Sequence, residues 1–451
     1  MLLSDLTGRR VAVWGAGLEG RAAATVIARR RPADLVVVED GVVAADVLAT
    51  DDGAQVPLRG GDDGRAALGD AEVIVRSPGI SRYRPDVAAL AVGPATMTTS
   101  TGLFLAHSVD VPVVGITGTK GKSTTASLIA ALLDAVGRPA VLAGNIGAPM
   151  LPLLDQEIPA EVVRVVEVSS YQAADVTASP SVGVLTSLWP EHLDWHGGWD
   201  RYVADKLNLF AHRPDLAVAV GTTTVSDEAV PGRVVRFGTP PGWWADGTAL
   251  CRGETPPLLD TAGTPVRGSH IGHDLAGAVT ALELLGVDVE SCARELARAV
   301  ATWEPLPHRQ TVIAERDGVR WVDDTLATVP QATAAAVEVF LPDPVTLLVG
   351  GFDRGIDYTD LGAALARWGK AVTVVTMPDT GAKVAAAVRA APDGADVELH
   401  ESDGIDDAVA IARHVTATGG TILLSPAAPS YHRFKNYTEL AARFAELVAA
   451  D

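Results

Sequence analysis

Cysteine is nearly missing from this 451-residue chain, with Cys251 and Cys292 as the only two. Two isolated thiols support neither a disulfide framework nor a paired metal site, so both read as packing residues. Positive charge is also short: 36 Lys and Arg stand against 56 Asp and Glu, for a formal net charge of −20. That balance argues against a nucleic-acid partner, which needs a basic footprint. A local glycine loop with a few cations can still hold phosphate against such a field. No apolar run reaches the roughly 18 residues of a membrane span. The opening MLLSDLTGRR lacks the apolar stretch of a signal peptide. A cytoplasmic protein without a membrane partner is expected. No internal repeat of solenoid length is found.

What the chain does have is alternation. Short β-branched runs such as Val11–Trp14, Val73–Val75, Val163–Val168, Val182–Thr186, Val345–Val349 and Thr421–Leu424 read as buried strands. Between them lie Ala- and Leu-rich stretches, among them Ser123–Ala135, Asp274–Leu285 and Thr380–Ala390, that read as helices. This pattern predicts an α/β protein of parallel sheets covered by helices. Its length exceeds what one core usually serves. Breaks near Val92-Gly-Pro-Ala95 and Trp303-Glu-Pro-Leu-Pro307 divide it into 1–95, 96–306 and 307–451. The Gly-, Pro- and Asp-rich stretch 226–270 reads as loops and short strands elaborating the middle part.

The strongest chemical signal is Val113-Val-Gly-Ile-Thr-Gly-Thr-Lys-Gly-Lys-Ser-Thr-Thr125. A strand ends in a glycine-rich turn, and Lys122-Ser123 opens a helix. The turn directs successive N–H groups at a phosphate, the helix N-terminus adds partial positive charge, Lys122 reaches the β- and γ-phosphates, and a hydroxyl can ligate Mg²⁺. Glu167 closes an apolar strand, where open α/β sheets place ligands, and a buried carboxylate there needs a partner such as a metal. His192 follows another strand and reads equally as a nitrogen ligand or a surface histidine. By spacing alone Lys206 is one more solvated helical lysine. Near the start, Gly15-Ala-Gly17-Leu-Glu-Gly20 follows a strand and Glu39-Asp40 closes the next, which meets the dinucleotide fingerprint.

The glycine spacing, with Ile116 where a strict P-loop has glycine, resembles the nucleotide loop of Mur ligases and folylpolyglutamate synthetases. Gly144-Asn-Ile-Gly147, Glu167-Val-Ser-Ser-Tyr-Gln172, Pro190-Glu-His-Leu-Asp194 and Leu306-Pro-His-Arg309 follow in the order and spacing of Mur ligases. The resemblance covers the whole chain. It implies a Rossmann-like N-terminal domain, a central P-loop-like ATPase domain and a Rossmann-like C-terminal domain. It implies an ATP- and Mg²⁺-dependent ligase that joins glutamate to UDP-N-acetylmuramoyl-L-alanine. ATP would be held by Gly118, Thr119, Lys120, Gly121, Lys122, Ser123, Thr124, Asp274, Arg309 and Asp324. Mg²⁺ would be held by Ser123, Glu167, His192 and Lys206, the last as a carbamate under the family's R-Y-x-x-x-K pattern. Lys122, Glu167, His192 and Lys206 would be the catalytic set.

The same resemblance turns the first fingerprint from a redox site into a holder for the UDP moiety, through Gly15, Gly17, Gly20, Glu39, Ser77, Pro78 and Gly79. Asn145, Ser169, Thr328, Arg354, Ser425, Ser430 and Phe434 would complete the muramoyl and glutamate sites. Taken singly, Arg354 reads as a surface cation, Ser425 as a turn residue and Phe434 as core. Several positions depart from the family pattern. Lys120 stands where most members have asparagine, and Gly272-His-Asp-Leu-Ala-Gly277 lacks their two asparagines. D-glutamate-adding members have lysine where this chain has Leu326, and Arg where it has Trp195. Those changes resemble the branch that adds L-glutamate and relies on a separate epimerase, with the D-glutamate enzymes as the alternative.

Overall fold

The computed structural model describes every residue except 51, 146–147, 222, 224, 254–256, 263, 265–268, 305, 354, 431–432 and 451. The chain divides into two compact units, Met1–Trp303 and Glu304–Asp451. Among the described residues no helix is long and apolar enough to cross a membrane.

The first unit holds two six-stranded sheets. One is built from β1 (Arg10–Trp14), β2 (Asp34–Glu39), β3 (Val47–Ala49), β4 (Gln55–Gly60), β5 (Val73–Arg76) and β6 (Thr96–Thr98), in the order β3-β4-β2-β1-β5-β6. All its pairings are parallel except β3 with β4. Because β6 pairs with β5, this sheet extends past residue 95, to Thr98. The second comprises β7 (Val113–Thr117), β8 (Ala140–Gly144), β9 (Val163–Glu167), β10 (Val182–Leu185), β11 (Ala217–Val220) and β12 (Arg233–Arg236), all parallel, in the order β12-β11-β10-β7-β9-β8. Both faces of the inner strands β1, β5, β7, β9 and β10 are buried, which is why they read as continuous apolar runs instead of alternating ones.

Val11, Val13, Leu103, Val166, Leu185 and Tyr202 lie in one contiguous core, so the two sheets share an interior. On the other side of the second sheet, helices Lys122–Ala135, Ser269–Leu284 and Ala293–Thr302 bury Leu128, Leu132, Leu275, Leu282 and Leu296. The middle of these helices starts five residues before the expected Asp274. Ile271 and Leu275, one turn apart, both face the core and draw the extra turn onto it. The irregular stretch yields a small antiparallel sheet, β13 (Trp243–Asp246), β14 (Ala249–Arg252) and β15 (Leu259–Asp260).

The second unit is a doubly wound sheet of β16 (Thr311–Arg316), β17 (Val319–Asp323), β18 (Val345–Gly351), β19 (Val372–Asp379), β20 (Glu398–Glu401) and β21 (Thr421–Leu424), ordered β16-β17-β21-β18-β19-β20. Only the edge pair β16–β17 is antiparallel. Separate apolar clusters cover its two faces.

Candidate active site

β7 ends at Thr117 with all five residues buried, and the helix Lys122–Ala135 begins five residues later. The intervening turn works only with glycine at two points. Gly118 has φ +147°, and a Cβ there would fall 2.0 Å from Thr186 Oγ1. Gly121 caps the helix at φ +86°, and its Cβ would meet Asp274 Oδ1 at 2.2 Å. Asp274 therefore packs directly on the loop. Gly118→Ala is expected to combine left-handed strain with a steric overlap, each on the order of 1–3 kcal/mol. Denaturant unfolding would register the loss, and near-wild-type stability with normal ATP binding would contradict it.

Thr119 fastens the turn: its hydroxyl accepts from Trp189 N at 2.9 Å and lies 2.7 Å from the Tyr202 hydroxyl. Lys122 Nζ donates to Thr119 O at 2.9 Å. Ser123 Oγ donates to Glu167 Oε2 at 2.6 Å, and Asn145 Nδ2 donates to the other carboxylate oxygen at 3.0 Å. Glu167 is thus buried at the end of β9, as its position in the sequence suggested. The pairing of β9 with β7 brings it there, since Ile116 and Glu167 are register partners.

Lys206 overturns the solvated-lysine reading. The helix Trp199–Leu207 buries it, and its Nζ donates to Gly118 O at 2.7 Å and lies over the Tyr202 ring. Its spacing gave no hint of this, because a nine-residue amphipathic helix can bury a stripe that includes a lysine when a loop carbonyl receives it. Burial and the neighbouring Lys122 cation push its pKa well below that of an ordinary lysine.

His192 adopts a left-handed conformation at φ 54°, packs against the Tyr171 ring, and has Nε2 3.9 Å from Glu191 Oε1. Glu191 itself went unnoticed in the sequence, although it sits beside His192 in the motif. Its carboxylate receives Lys120 Nζ at 3.1 Å. Burial alone would raise its pKa, but Lys120, His192 and Lys122 together hold it at about 2. Lys120, where most family members carry asparagine, thereby places an ion pair beside the loop.

The first glycine loop is closed by its own neighbours. Ala16 N donates to Glu39 Oε1 at 2.5 Å, and Ser77 N donates to Trp14 O at 2.8 Å. Ser77 Oγ lies 3.4 Å from Gly15 O, so the Ser77-Pro-Gly79 turn and the Gly15–Gly20 loop are adjacent. At the first turn of the helix Leu18–Ala28, Glu19 takes a hydrogen bond from Gln172 Nε2 at 2.5 Å, which connects this loop to the Glu167–Gln172 motif. Ser169 caps the short helix at Ser170–Ala173 and reciprocates with Gln172.

A chain of side chains, buried except at the half-buried Tyr83, runs between the loop after Ser77 and the Lys206 helix. Tyr83 Oη donates to Asp205 Oδ1 at 2.9 Å. Asp205 Oδ2 receives His196 Nδ1 at 2.5 Å, and His196 Nε2 lies 2.9 Å from Ser170 Oγ. A carboxylate only accepts, so Nδ1 carries the proton. Burial and Asp205 push the Tyr83 phenol up to about 12, which keeps it a donor.

In the second unit, Asp324 is buried and takes hydrogen bonds from Ser425 Oγ at 2.7 Å and Gln310 N at 3.2 Å. Burial raises its pKa to about 7 against the opposing effects of Ser425 and Arg309. Ser425 is fully buried, with Thr333 Oγ1 2.9 Å away, so its hydroxyl is engaged by buried partners. Ser430 and Phe434 line one cleft with Gly350, Gly351, Asp379 and Arg433. Arg433 was not singled out in the sequence, though it stands between the two. Thr328 lies in the loop after β17, and Arg354 falls outside the described residues.

A family model described as the Mur ligase middle domain matches residues 116–238, the stretch that holds the loop, Glu167, His192 and Lys206. Over nearly its whole length the chain is 44% identical to a UDP-N-acetylmuramoyl-L-alanine–L-glutamate ligase of Salinispora tropica, covering 99% of each chain. The chain belongs to the Mur ligase family. Enzymes of the same name from Micromonospora (45% identity over 99% of this chain and 98% of the relative) and Xanthomonas axonopodis (38% over 100% and 97%) agree. Among solved structures, MurC of Thermotoga maritima matches with TM-score 0.60 at 13% identity over 98% of this chain and 99% of that one. MurF of Acinetobacter baumannii matches with TM-score 0.61 at 17% identity over 97% and 90%. The α/β Mur ligase fold expected from the sequence is the fold observed.

Proposed function

We propose that the protein is an ATP-dependent ligase that joins L-glutamate to UDP-N-acetylmuramoyl-L-alanine. The full-length likeness to ligases of that name carries the reading. The phosphate loop with Lys122, Ser123 and Glu167 gathered beside it supports the chemistry. ATP phosphorylates the alanyl carboxylate, the glutamate amine attacks the acyl phosphate, and the tetrahedral intermediate expels phosphate. Phosphoryl transfer asks mainly for positioning and charge neutralisation, which suits Lys122 and a ring of loop amides.

The Ser123 hydroxyl and the Glu167 carboxylate form an oxygen donor set that fits a hard cation such as Mg²⁺. Mg²⁺ commonly divides its coordination between one or two carboxylates and substrate phosphates, where it neutralises charge. His192 and carbamylated Lys206 are the remaining proposed ligands. Burial lowers the pKa of Lys206, which favours the neutral amine that adds carbon dioxide, and the resulting carbamate would supply oxygens. The first glycine loop, Glu39 and the Ser77-Pro-Gly79 turn would hold the UDP moiety. Arg309, Asp324 and Asp274 would serve ATP.

Stereochemistry follows the departures in the second unit. Leu326 removes a cation from the amino-acid pocket, and Arg433 beside Ser430 and Phe434 offers one elsewhere for a carboxylate. Such a pocket produces L-glutamyl peptide, which an epimerase would then invert. A nucleotide-linked substrate and ATP support a cytoplasmic reaction. The test supplies purified protein with ATP, UDP-N-acetylmuramoyl-L-alanine and either glutamate enantiomer, and follows phosphate release. L-glutamate should turn over faster by roughly a hundredfold or more, since a mispaired charge discriminates strongly. Faster turnover with D-glutamate would overturn the stereochemical claim, and turnover with neither would overturn the assignment.

A further inference from the structure

The chain Tyr83–Asp205–His196–Ser170 is not part of the ligand sets described above, yet it touches three of the segments that carry them. Tyr83 follows the Ser77-Pro-Gly79 turn by four residues, Asp205 directly precedes Lys206, and Ser170 directly follows Ser169. His196, Asp205 and Ser170 are all buried. Around them the packing is aromatic: Trp195 stacks on Tyr171 with ring centres 4.6 Å apart and meets Tyr83 edge-on at 6.0 Å. Arg201 covers the Tyr83 ring at 4.9 Å, and Ser81 Oγ donates to Trp195 O at 2.7 Å.

We propose that Tyr83, Asp205 and His196 form a positioning relay that ties occupancy of the muramoyl-nucleotide loop to the placement of the Lys206 helix against the phosphate loop. The proposal rests on the reading of the first glycine loop as the nucleotide holder.

The physical case has three parts. First, Asp205 accepts from two donors on separate segments, and hydrogen bonds to a charged group are the strong ones. Its carboxylate therefore holds the 81–83 loop and the 196 turn in one register. Second, the helix Trp199–Leu207 is too short to be rigid by its own backbone, so its side-chain anchors decide where Lys206 lies. Lys206 reaches Gly118 O from this helix, and Tyr202 reaches Thr119 from the same helix. A shift of the helix is thus a shift of the phosphate loop. Third, His196, Asp205 and Ser170 are buried, so water has little access to replace a partner lost at that end of the chain.

Coupling of this kind is reciprocal: nucleotide that orders the 77–83 segment must also order the helix, through Tyr83 and Asp205. Tyr83 is a positioning residue here, since it acts on Lys206 only through Asp205.

The experiment is hydrogen exchange with mass spectrometry on the full chain, with and without UDP-N-acetylmuramoyl-L-alanine and with no ATP. In the wild type, the nucleotide should protect residues 15–20 directly and residues 199–207 in addition. Tyr83→Phe keeps the ring, its contact with Trp195 and its cation neighbour, and removes only the hydroxyl. This variant should retain protection at 15–20 and lose the added protection at 199–207. Its kcat should fall roughly tenfold, with the KM for ATP little changed, on the scale of one hydrogen bond to a charged group. Asp205→Asn should behave similarly, and the double variant should be no worse than Asp205→Asn alone, because both break one chain. A merely structural role would instead lower Tm and leave ligand-induced protection intact. Equal protection at 199–207 in wild type and Tyr83→Phe, or none there in the wild type while 15–20 is protected, overturns the relay. Absence of protection at 15–20 in the wild type overturns the nucleotide assignment itself, and the relay with it.

Discussion

Lys122→Ala is expected to fold normally and to lose ATP-dependent ligation by at least a hundredfold. Lys122 opens the helix after the phosphate loop, and among the described residues its Nζ donates to the carbonyl of Thr119. That single contact, to a carbonyl of its own loop, contributes little to stability, so Tm should move by no more than a few degrees. Its charge acts where negative charge shifts between the leaving nucleotide and the carboxylate being phosphorylated. Removing one preorganised group of this kind costs about 2.7–4 kcal/mol in the transition state. The assay is ADP release with muramoyl substrate and glutamate both present. A folded Lys122→Ala protein that ligates at near-normal rate would sink the assignment of this loop.

Lys206→Ala should lose activity on a similar scale, for a different reason. The amine is buried against Gly118 O, under the combined effect of desolvation and the Lys122 cation. If its catalytic form is a carbamate, alanine removes two oxygen ligands from the metal together with the side-chain bulk. The cavity left behind can take a small anion. Acetate or formate should then restore part of the activity, and neither should help Lys122→Ala. The folded state should survive, since the variant removes a group whose charged form burial disfavours. High-resolution density showing an unmodified lysine, together with an alanine variant of undiminished activity, would refute the carbamate role.

These expectations draw unequally on sequence and fold. The phosphate loop was legible from residues 113–125 alone, because its chemistry is local: strand, glycine turn and helix start are consecutive, and backbone amides need no distant partner. The same holds for the first glycine loop with Glu39, and for the parallel sheets, whose two-sided burial forces unbroken apolar strands. Glu167 was placed correctly because a strand's end in a parallel sheet lies at a known edge. The extension of the first sheet past residue 95 through β6 and the earlier start of the helix at Ser269 were hidden, since register and core contacts set those boundaries.

Tertiary structure alone decided the state of the charged groups. Lys206 and a solvated surface lysine have the same local sequence, and burial against a carbonyl 88 residues away separates them. Burial would raise the pKa of Glu191, and it is held at about 2 because Lys120, 71 residues distant, and Lys122 join the neighbouring His192 around it. Asp324 is raised to about 7 because the fold of the second unit buries it, against the opposing hydrogen bond from Ser425, 101 residues on. The Tyr83–Asp205 bond joins segments 122 residues apart that no periodicity connects. Backbone conformation and apolar pattern are short-range properties that a chain carries in its order of residues, whereas electrostatics depends on which groups share a desolvated space, and only folding brings them together.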